Sequence, residues 1–406
     1  MGITSRLLIR RLVQLHNTTT CIVCDATNVI PIARLSGLPV ETLRLWRSRE
    51  AARRAVKAPI DLALCRSCGH LFNASYRDDF VQYEEDYENS QIFSRRFQRY
   101  AQELARRLTA VHALGGKTIL EIGGGQGDFL KLLCEETGGT GICVGPSYEP
   151  KPDKPVPENI RFIKDYYTER YRDEPADLVL CRHVLEHFSR PRELVDDVYR
   201  AVRHRPDLPV YFEVPNAEYI LRERATWEII YQHCSYFTKP SLARLFEQSG
   251  FVVHEIAEQF DGQFLAITAT AARSPEPRPQ ADGAVRAIEA QALSFARHVA
   301  PYTTDWLRRL HAFARHRQRV VAWGAGAKAV SFLNTLDAAS AVVSHVVDVN
   351  PRKAGRFIAG TGQEIIEPER LPNLLPDIVI AMNRAYADEI REKVAQLGLM
   401  PDLIVA

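Results

Sequence analysis

Two stretches of this chain, Lys117–Leu133 and Arg319–Ala329, each read as an apolar strand, a glycine-rich turn and the start of an amphipathic helix. That order opens a doubly wound α/β sheet, whose strands need helices on both faces. Short apolar runs alternating with helical patterns follow each of them, as far as Ala271 and Ala406 respectively. The chain is therefore read as α/β with two separate doubly wound sheets. Hydrophobic residues at 46% and charged residues at 25% suffice for full cores and exclude a disordered or coiled-coil chain. Lys plus Arg is 52 against 50 for Asp plus Glu, so no large field draws a nucleic acid or an anionic membrane. No apolar run approaches the roughly 20 residues that span a bilayer. Met1–Arg11 carries three Arg without an apolar stretch or cleavage site, which favours a short leading helix over a targeting segment and a cytoplasmic location.

Four of the eight cysteines form two CxxC pairs, Cys21/Cys24 and Cys65/Cys68. Four thiolates can surround a zinc ion tetrahedrally, and a CxxC turn lets both sulfurs of a pair face one point. A thioredoxin-like redox pair is the rival, but neither CxxC sits between a strand and a helix start. With all four positions filled by Cys no coordination site stays open, so the zinc is expected to be structural. The long gap between the pairs must form its own hairpin or helix. Cys134, Cys143, Cys181 and Cys234 lie singly inside apolar runs as buried thiols.

Composition and pattern divide the chain into a zinc module (1–76), a core with a helical cover (77–272), a linker (273–290) and a second unit (291–406). In the cover, Phe80, Tyr83, Tyr87, Phe93, Phe97, Tyr100 and Leu104 recur at spacings of mostly three and four, which predicts a helix over Asp78–Leu108. Ser274–Gly283, with three Pro and no large apolar residue, reads as exposed linker, and Ala284–His316 as helix.

In the first glycine loop Gly123, Gly125 and Gly127 let the backbone approach a ligand, and Glu121 stands two residues before them, placed to order the loop and reach a ligand ammonium. Dinucleotide loops usually lack that acid, which disfavours an ordinary NAD site. Asp165, after the run Ile160–Ile163, is placed to accept from an adenine amino group. Asp177-Leu-Val-Leu-Cys-Arg-His-Val-Leu-Glu-His then gives a buried strand and a loop at its carboxyl end, where open sheets bind ligands. The order E-x-G-x-G-x-G, an acid, then D-L-V-x-x-x-H-V-L-E-H resembles class I S-adenosylmethionine-dependent methyltransferases. The resemblance implies a Rossmann-like core and S-adenosylmethionine as cofactor, with His183 also on the cofactor side. Such proteins usually hold the ribose with an acid after the second strand; here that position is Gly145, and Glu149 lies four residues on.

His187 closes the HVLEH run, and Ile230-Tyr-Gln-His-Cys-Ser-Tyr-Phe follows the strand Val210–Val214. A single His is more often a hydrogen-bonded structural residue, but two imidazoles at carboxyl ends of strands can supply a base near neutral pH and a partner for an oxyanion. With the zinc module and the second Rossmann-like unit, the chain resembles, nearly end to end, the C-methyltransferases of nucleotide-linked 4-keto-deoxysugars. That resemblance implies His233 as the base that removes the proton beside the ketone, His187 as a second active-site His and Tyr87 as a cover over the substrate. Gln232 and Ile230 depart from the family's Glu and Tyr at those places. Tyr231 and Gln232 complete the catalytic candidates.

In the second glycine loop, Gly324 and Gly326 precede Lys328, and Asp348 ends the next strand with Arg352 close behind. Read cold this is an NAD candidate, yet the cations favour another nucleotide diphosphate, and no separate redox site is evident. In the resembled family this unit helps hold the sugar nucleotide. The leading reading is methyl transfer from S-adenosylmethionine to a nucleotide-linked keto-deoxysugar, by a monomer or homodimer. The alternatives are O- or N-methylation of another small metabolite, and a non-catalytic nucleotide-binding scaffold.

Overall fold

The computed structural model describes residues 19–81, 87–150, 156–273, 282–336 and 339–406. Met1–Arg11, Tyr83 and residues 274–281 of the expected linker lie outside the described residues, and the linker's remainder from Asp282 on is helix.

The first unit contains β1 (Val29–Pro39), α1 (Arg49–Arg53), β2 (Lys57–Cys65) and β3 (Leu71–Asn73). They form an antiparallel sheet with Val29 opposite Cys65 and Leu64 opposite Leu71. The segment between the CxxC pairs thus forms both a hairpin and a short helix.

The second unit opens with α2 (Arg95–Val111), which corrects the helix expected from Asp78. Upstream, Asp78–Phe80 makes one 3₁₀ turn and Tyr87 pairs with Arg44 in an extended bridge. Ser94 sets the start, its side chain accepting from the Phe97 N–H. Of the aromatics before it, Phe80 packs on the core of the first unit while Tyr87 and Phe93 line a cavity.

The core continues with β4 (Thr118–Ile122), α3 (Asp128–Thr137), β5 (Thr140–Val144), β6 (Ile160–Ile163), β7 (Leu178–Arg182), α4 (Pro191–Val202), β8 (Val210–Pro215), α5 (Ala217–Glu223), β9 (Ser235–Tyr236), α6 (Lys239–Gln248), β10 (Phe251–Gln259) and β11 (Phe264–Ala271). Seven of these strands form one sheet in the order β10-β11-β8-β7-β4-β5-β6, parallel except for β11. The central strands are buried almost throughout, as a sheet covered on both faces requires. The strand β9 leaves this sheet and pairs with β3, so the first unit's sheet is completed by the chain just after His233.

The third unit comprises α7 (Asp282–Arg315), β12 (Val320–Trp323), α8 (Ala327–Thr335), α9 (Ala339–Val342), β13 (Val343–Val347), β14 (Glu364–Ile366), α10 (Leu371–Leu374), β15 (Ile378–Ala381), α11 (Ala387–Gln396) and β16 (Asp402–Val405). Its five strands are all parallel, in the order β14-β13-β12-β15-β16, which makes it the second Rossmann-like unit. At 1.5 Å per residue the 34 residues of α7 extend about 50 Å. Ile288, Ala292 and Phe295 pack in the core of the first unit, while Trp306 and Leu310 pack in that of the third.

The third unit also caps the second. The Glu389 carboxylate accepts from Ser94 Oγ at 2.7 Å and from the Arg95 and Arg96 N–H groups at 3.0 and 3.1 Å, so an acid of one unit neutralises the exposed N–H groups of a helix in another. Glu389→Ala is expected to lower stability by about 1–2 kcal/mol in chemical denaturation, and an unchanged midpoint would show that these bonds contribute nothing net.

Candidate active site

The four cysteines of the CxxC pairs converge at one end of the first unit. Cys21 Sγ lies 3.6 Å from Cys68 Sγ, and Cys24 Sγ 3.5 Å from Cys65 Sγ. All four sulfurs fall within 4.8 Å of one another, outside any disulfide. A tetrahedral zinc with 2.3 Å bonds needs sulfurs about 3.8 Å apart, so the donor set fits that ion.

The first glycine loop opens onto a cavity of about 1750 Å³ enclosed by all three units. Gly123, Gly125 and Gly127 all take positive φ. Glu121 is buried beside the loop, its Oε2 has no partner, and burial pushes its pKa up to about 7. A Cβ at Gly124 would lie 2.1 Å from that oxygen, so a larger residue there would displace the Glu121 carboxyl. An unpartnered carboxyl in a cavity fits a ligand ammonium. At Gly145 a Cβ would stand 3.2 Å from Gly123 Cα, so an acid there would press against the loop. Glu149 faces the cavity and pairs with Lys164. Asp165 does not line the cavity; Arg170 and Tyr171 hold its carboxylate. Gly127 also lies behind the lining.

Beyond the first glycine loop, His183, His187, Gln232, His233 and Tyr87 face the same cavity. His183 has φ of 55° and sets Nε2 3.0 Å from Glu213 Oε1. Glu213 also accepts from Arg182 at 2.7 and 3.0 Å and from Tyr100, and the Arg182 charge keeps it near 2 against the burial that would raise it. His187 Nδ1 lies 2.9 Å from the Gln232 carbonyl; a carbonyl only accepts, so Nδ1 carries the proton and Nε2 is the basic nitrogen. The rings of His187 and His233 stand 5.0 Å apart, and with Glu186 they offer polar atoms within 4.8 Å. Burial lowers His187 to about 4 and His233 well below its ordinary value, while it raises Glu186 to about 8. At neutral pH both imidazoles are uncharged and can accept a proton. Burial also raises the Tyr87 hydroxyl, so it stays a donor.

Tyr231 lies elsewhere. It sits in the turn before His233 with its side chain in the core of the first unit, where its ring stacks 5.4 Å from Tyr76 and its hydroxyl accepts from the Arg77 N–H.

The facing wall belongs to the third unit. Gly324, Gly326, Lys328, Asp348 and Arg352 line it. Asp348 is occupied by its own unit, accepting from the Ala325 and Asn350 N–H groups at 2.8 Å and from Lys353 Nζ at 3.0 Å. Lys328 pairs with Glu228, and Arg352 with Glu88 at 3.0 Å. Sequence reasoning missed Glu186, Glu213, Glu88 and Thr42. Only Glu213 left a signal, as a charge inside a buried strand opposite Arg182 in the ladder.

Residues 92–256 match the family model of a methyltransferase domain, and residues 284–399 that of a C-methyltransferase C-terminal domain. The C-methyltransferase NovU of Streptomyces niveus is 25% identical over 225 residues, 53% of this chain and 53% of that protein, so the chain spans about half the length of the curated relative it matches. Among solved structures, 1,6-didemethyltoxoflavin-N1-methyltransferase of Burkholderia thailandensis is 19% identical with a TM-score of 0.33 over 42% of this chain and 78% of that one. A SAM dependent methyltransferase from Aquifex aeolicus is 16% identical with a TM-score of 0.34 over 41% and 89%. Among the described residues no helix is long and apolar enough to cross a membrane.

Elemental analysis should find about one zinc per chain, and Cys65→Ser should lose it with a fall in melting temperature; metal-free protein of unchanged stability would remove the zinc. Glu121 must ionise to meet an ammonium group, and its raised pKa leaves it protonated below about 7. Calorimetric affinity for S-adenosylhomocysteine should therefore rise with pH through 7, falling by up to about tenfold per unit below it, and Glu121→Gln should abolish that limb. A flat profile for the parent protein would sink this assignment.

Proposed function

We propose that this chain, whose residues 92–256 and 284–399 match a methyltransferase domain and a C-methyltransferase C-terminal domain, is an S-adenosylmethionine-dependent methyltransferase that methylates carbon beside the ketone of a nucleotide-linked keto-deoxysugar. The observation that carries the reading is one cavity onto which an unpartnered Glu121, a pair of uncharged histidines and a cationic third-unit wall all open. When bound, S-adenosylmethionine supplies an activated methyl on a sulfonium, which asks the protein for alignment more than for activation.

Glu121 and the glycine loop hold the donor's amino-acid end, with Glu149 the nearest acid for its ribose and His183 on the same side. Lys328 and Arg352 hold the acceptor's diphosphate, exchanging Glu228 and Glu88 for phosphate oxygens. His233 takes the proton from the carbon beside the ketone. His187, its tautomer fixed by the Gln232 carbonyl, stands within reach of that proton, and the Glu186 carboxyl adjoins both rings. Tyr87 covers the acceptor with a neutral hydroxyl. The carbon acceptor is also supported by the name of the Streptomyces relative.

Purified protein incubated with labelled donor and a panel of nucleoside-diphosphate 4-keto-6-deoxyhexoses should form a carbon-bound methyl group and wash solvent deuterium into the position beside the ketone. A methyl on oxygen or nitrogen, or no transfer, would defeat the reading. His233→Ala should lower kcat by at least about 10²-fold with S-adenosylhomocysteine binding intact. A base held well below its ordinary pKa keeps its lone pair in mild acid, so kcat at saturating donor should hold from pH 8 down past 6.5 before it falls.

A further inference from the structure

Gln232 is the residue at which the sequence departs most plainly from an acid-bearing pattern. It cannot take a proton, yet it is buried to 1% exposure, lines the cavity and precedes His233. Its amide orientation is settled by neighbours. Oε1 accepts from the Thr42 backbone N–H at 3.0 Å and from the Thr42 hydroxyl. A backbone N–H can only donate, so the oxygen must face Thr42 and the NH₂ must face the other way. There Nε2 is buried and has no partner. A buried donor without an acceptor costs roughly 1–3 kcal/mol, which a ligand that accepts its hydrogen bond recovers. Glu186 Oε2 and His233 Nδ1 are also unpartnered on the reactive loops, but the Glu186 carboxyl adjoins both imidazoles and His233 is the base, which leaves the Gln232 amide as the neutral donor beside them; the hydroxyl of Tyr231 is outside the cavity.

We propose that Gln232 Nε2 is the hydrogen-bond donor that reads the acceptor's carbonyl oxygen and holds the negative charge that oxygen gains when the neighbouring carbon loses its proton. The proton goes to His233, the carbon–hydrogen electron pair moves into the carbon–carbon bond, and the carbonyl pair moves onto oxygen beside Nε2–H. The residue thus selects acceptors that present a bare oxygen. This rests on the methyltransferase reading above and names the group that discriminates ketone from alcohol.

Two variants, assayed at saturating donor on the 4-keto panel, test it. Gln232→Met removes the donor at similar size and should lower kcat about 10²-fold at every pH, with S-adenosylhomocysteine affinity within twofold of the parent as the check on folding. Gln232→Glu keeps an oxygen for Thr42 and places an acceptor toward the cavity when ionised but a donor when protonated. Its kcat should be low at pH 8.5 and climb toward that of the parent as pH falls, a trend the parent lacks. A parent active on the panel with Gln232→Met within threefold of it, or a Gln232→Glu profile parallel to the parent's, overturns this inference alone. A parent inert on every ketone overturns the function proposed above and this inference with it.

Discussion

The pairing of β3 with β9 holds the reactive loop where it is. Leu71 lies opposite Tyr236 and Phe72 opposite Ser235, while the Asn73 N–H reaches the Cys234 carbonyl at 3.0 Å. These bonds fasten the chain after His233 to the strand that leaves the second cysteine pair. Thr42, from the same unit, grips the Gln232 side chain, and the Gln232 carbonyl in turn fixes His187. The first unit, with its four clustered cysteines, is therefore a clamp on these loops: it orients the Gln232 amide and the His187 imidazole through one residue.

Electrostatics around this clamp separate into two regimes. Glu213 and Arg182 form a fully buried ion pair at the ends of β8 and β7, satisfied further by Tyr100 and packed under Phe129, over whose ring the guanidinium lies at 4.1 Å. Breaking such a pair is costly because the partner left behind cannot be solvated. A few residues away Glu186, His187 and His233 are uncharged at neutral pH because burial works against their ionised forms. The fixed charge positions the strand ends, and the neutral cluster is left able to exchange a proton.

Much of the fold was legible because its signals are local. Both glycine loops, the alternation of strand and helix and the CxxC spacing are read from neighbours in sequence, and each corresponds to an element of the structure. The failures came where a local pattern had a distant cause. The aromatic spacing from Phe80 to Phe93 imitates a helix, but Tyr87 is extended because Arg44 pairs with it, and the helix proper starts only at the Ser94 cap. Tyr231 is as good a candidate as its neighbours by sequence, but the turn it occupies sends it into the first unit's core. Thr42 and Glu88 matter through partners 190 and 264 residues away, and Glu186 through burial, none of which any spacing records. Asp348 sits where a ribose acid belongs in a dinucleotide fold, yet the Lys353 ammonium and two N–H groups occupy it.

The cavity's walls are encoded in separate parts of the chain: the donor loop in Glu121–Glu149, the reactive loops around His187 and His233, and the facing wall in Gly324–Arg352. The last segment meets the rest of the chain across the ion pairs Lys328–Glu228 and Arg352–Glu88, so an anion that captures either cation also frees a carboxylate on the opposite side, and occupancy of this wall is felt across the joint.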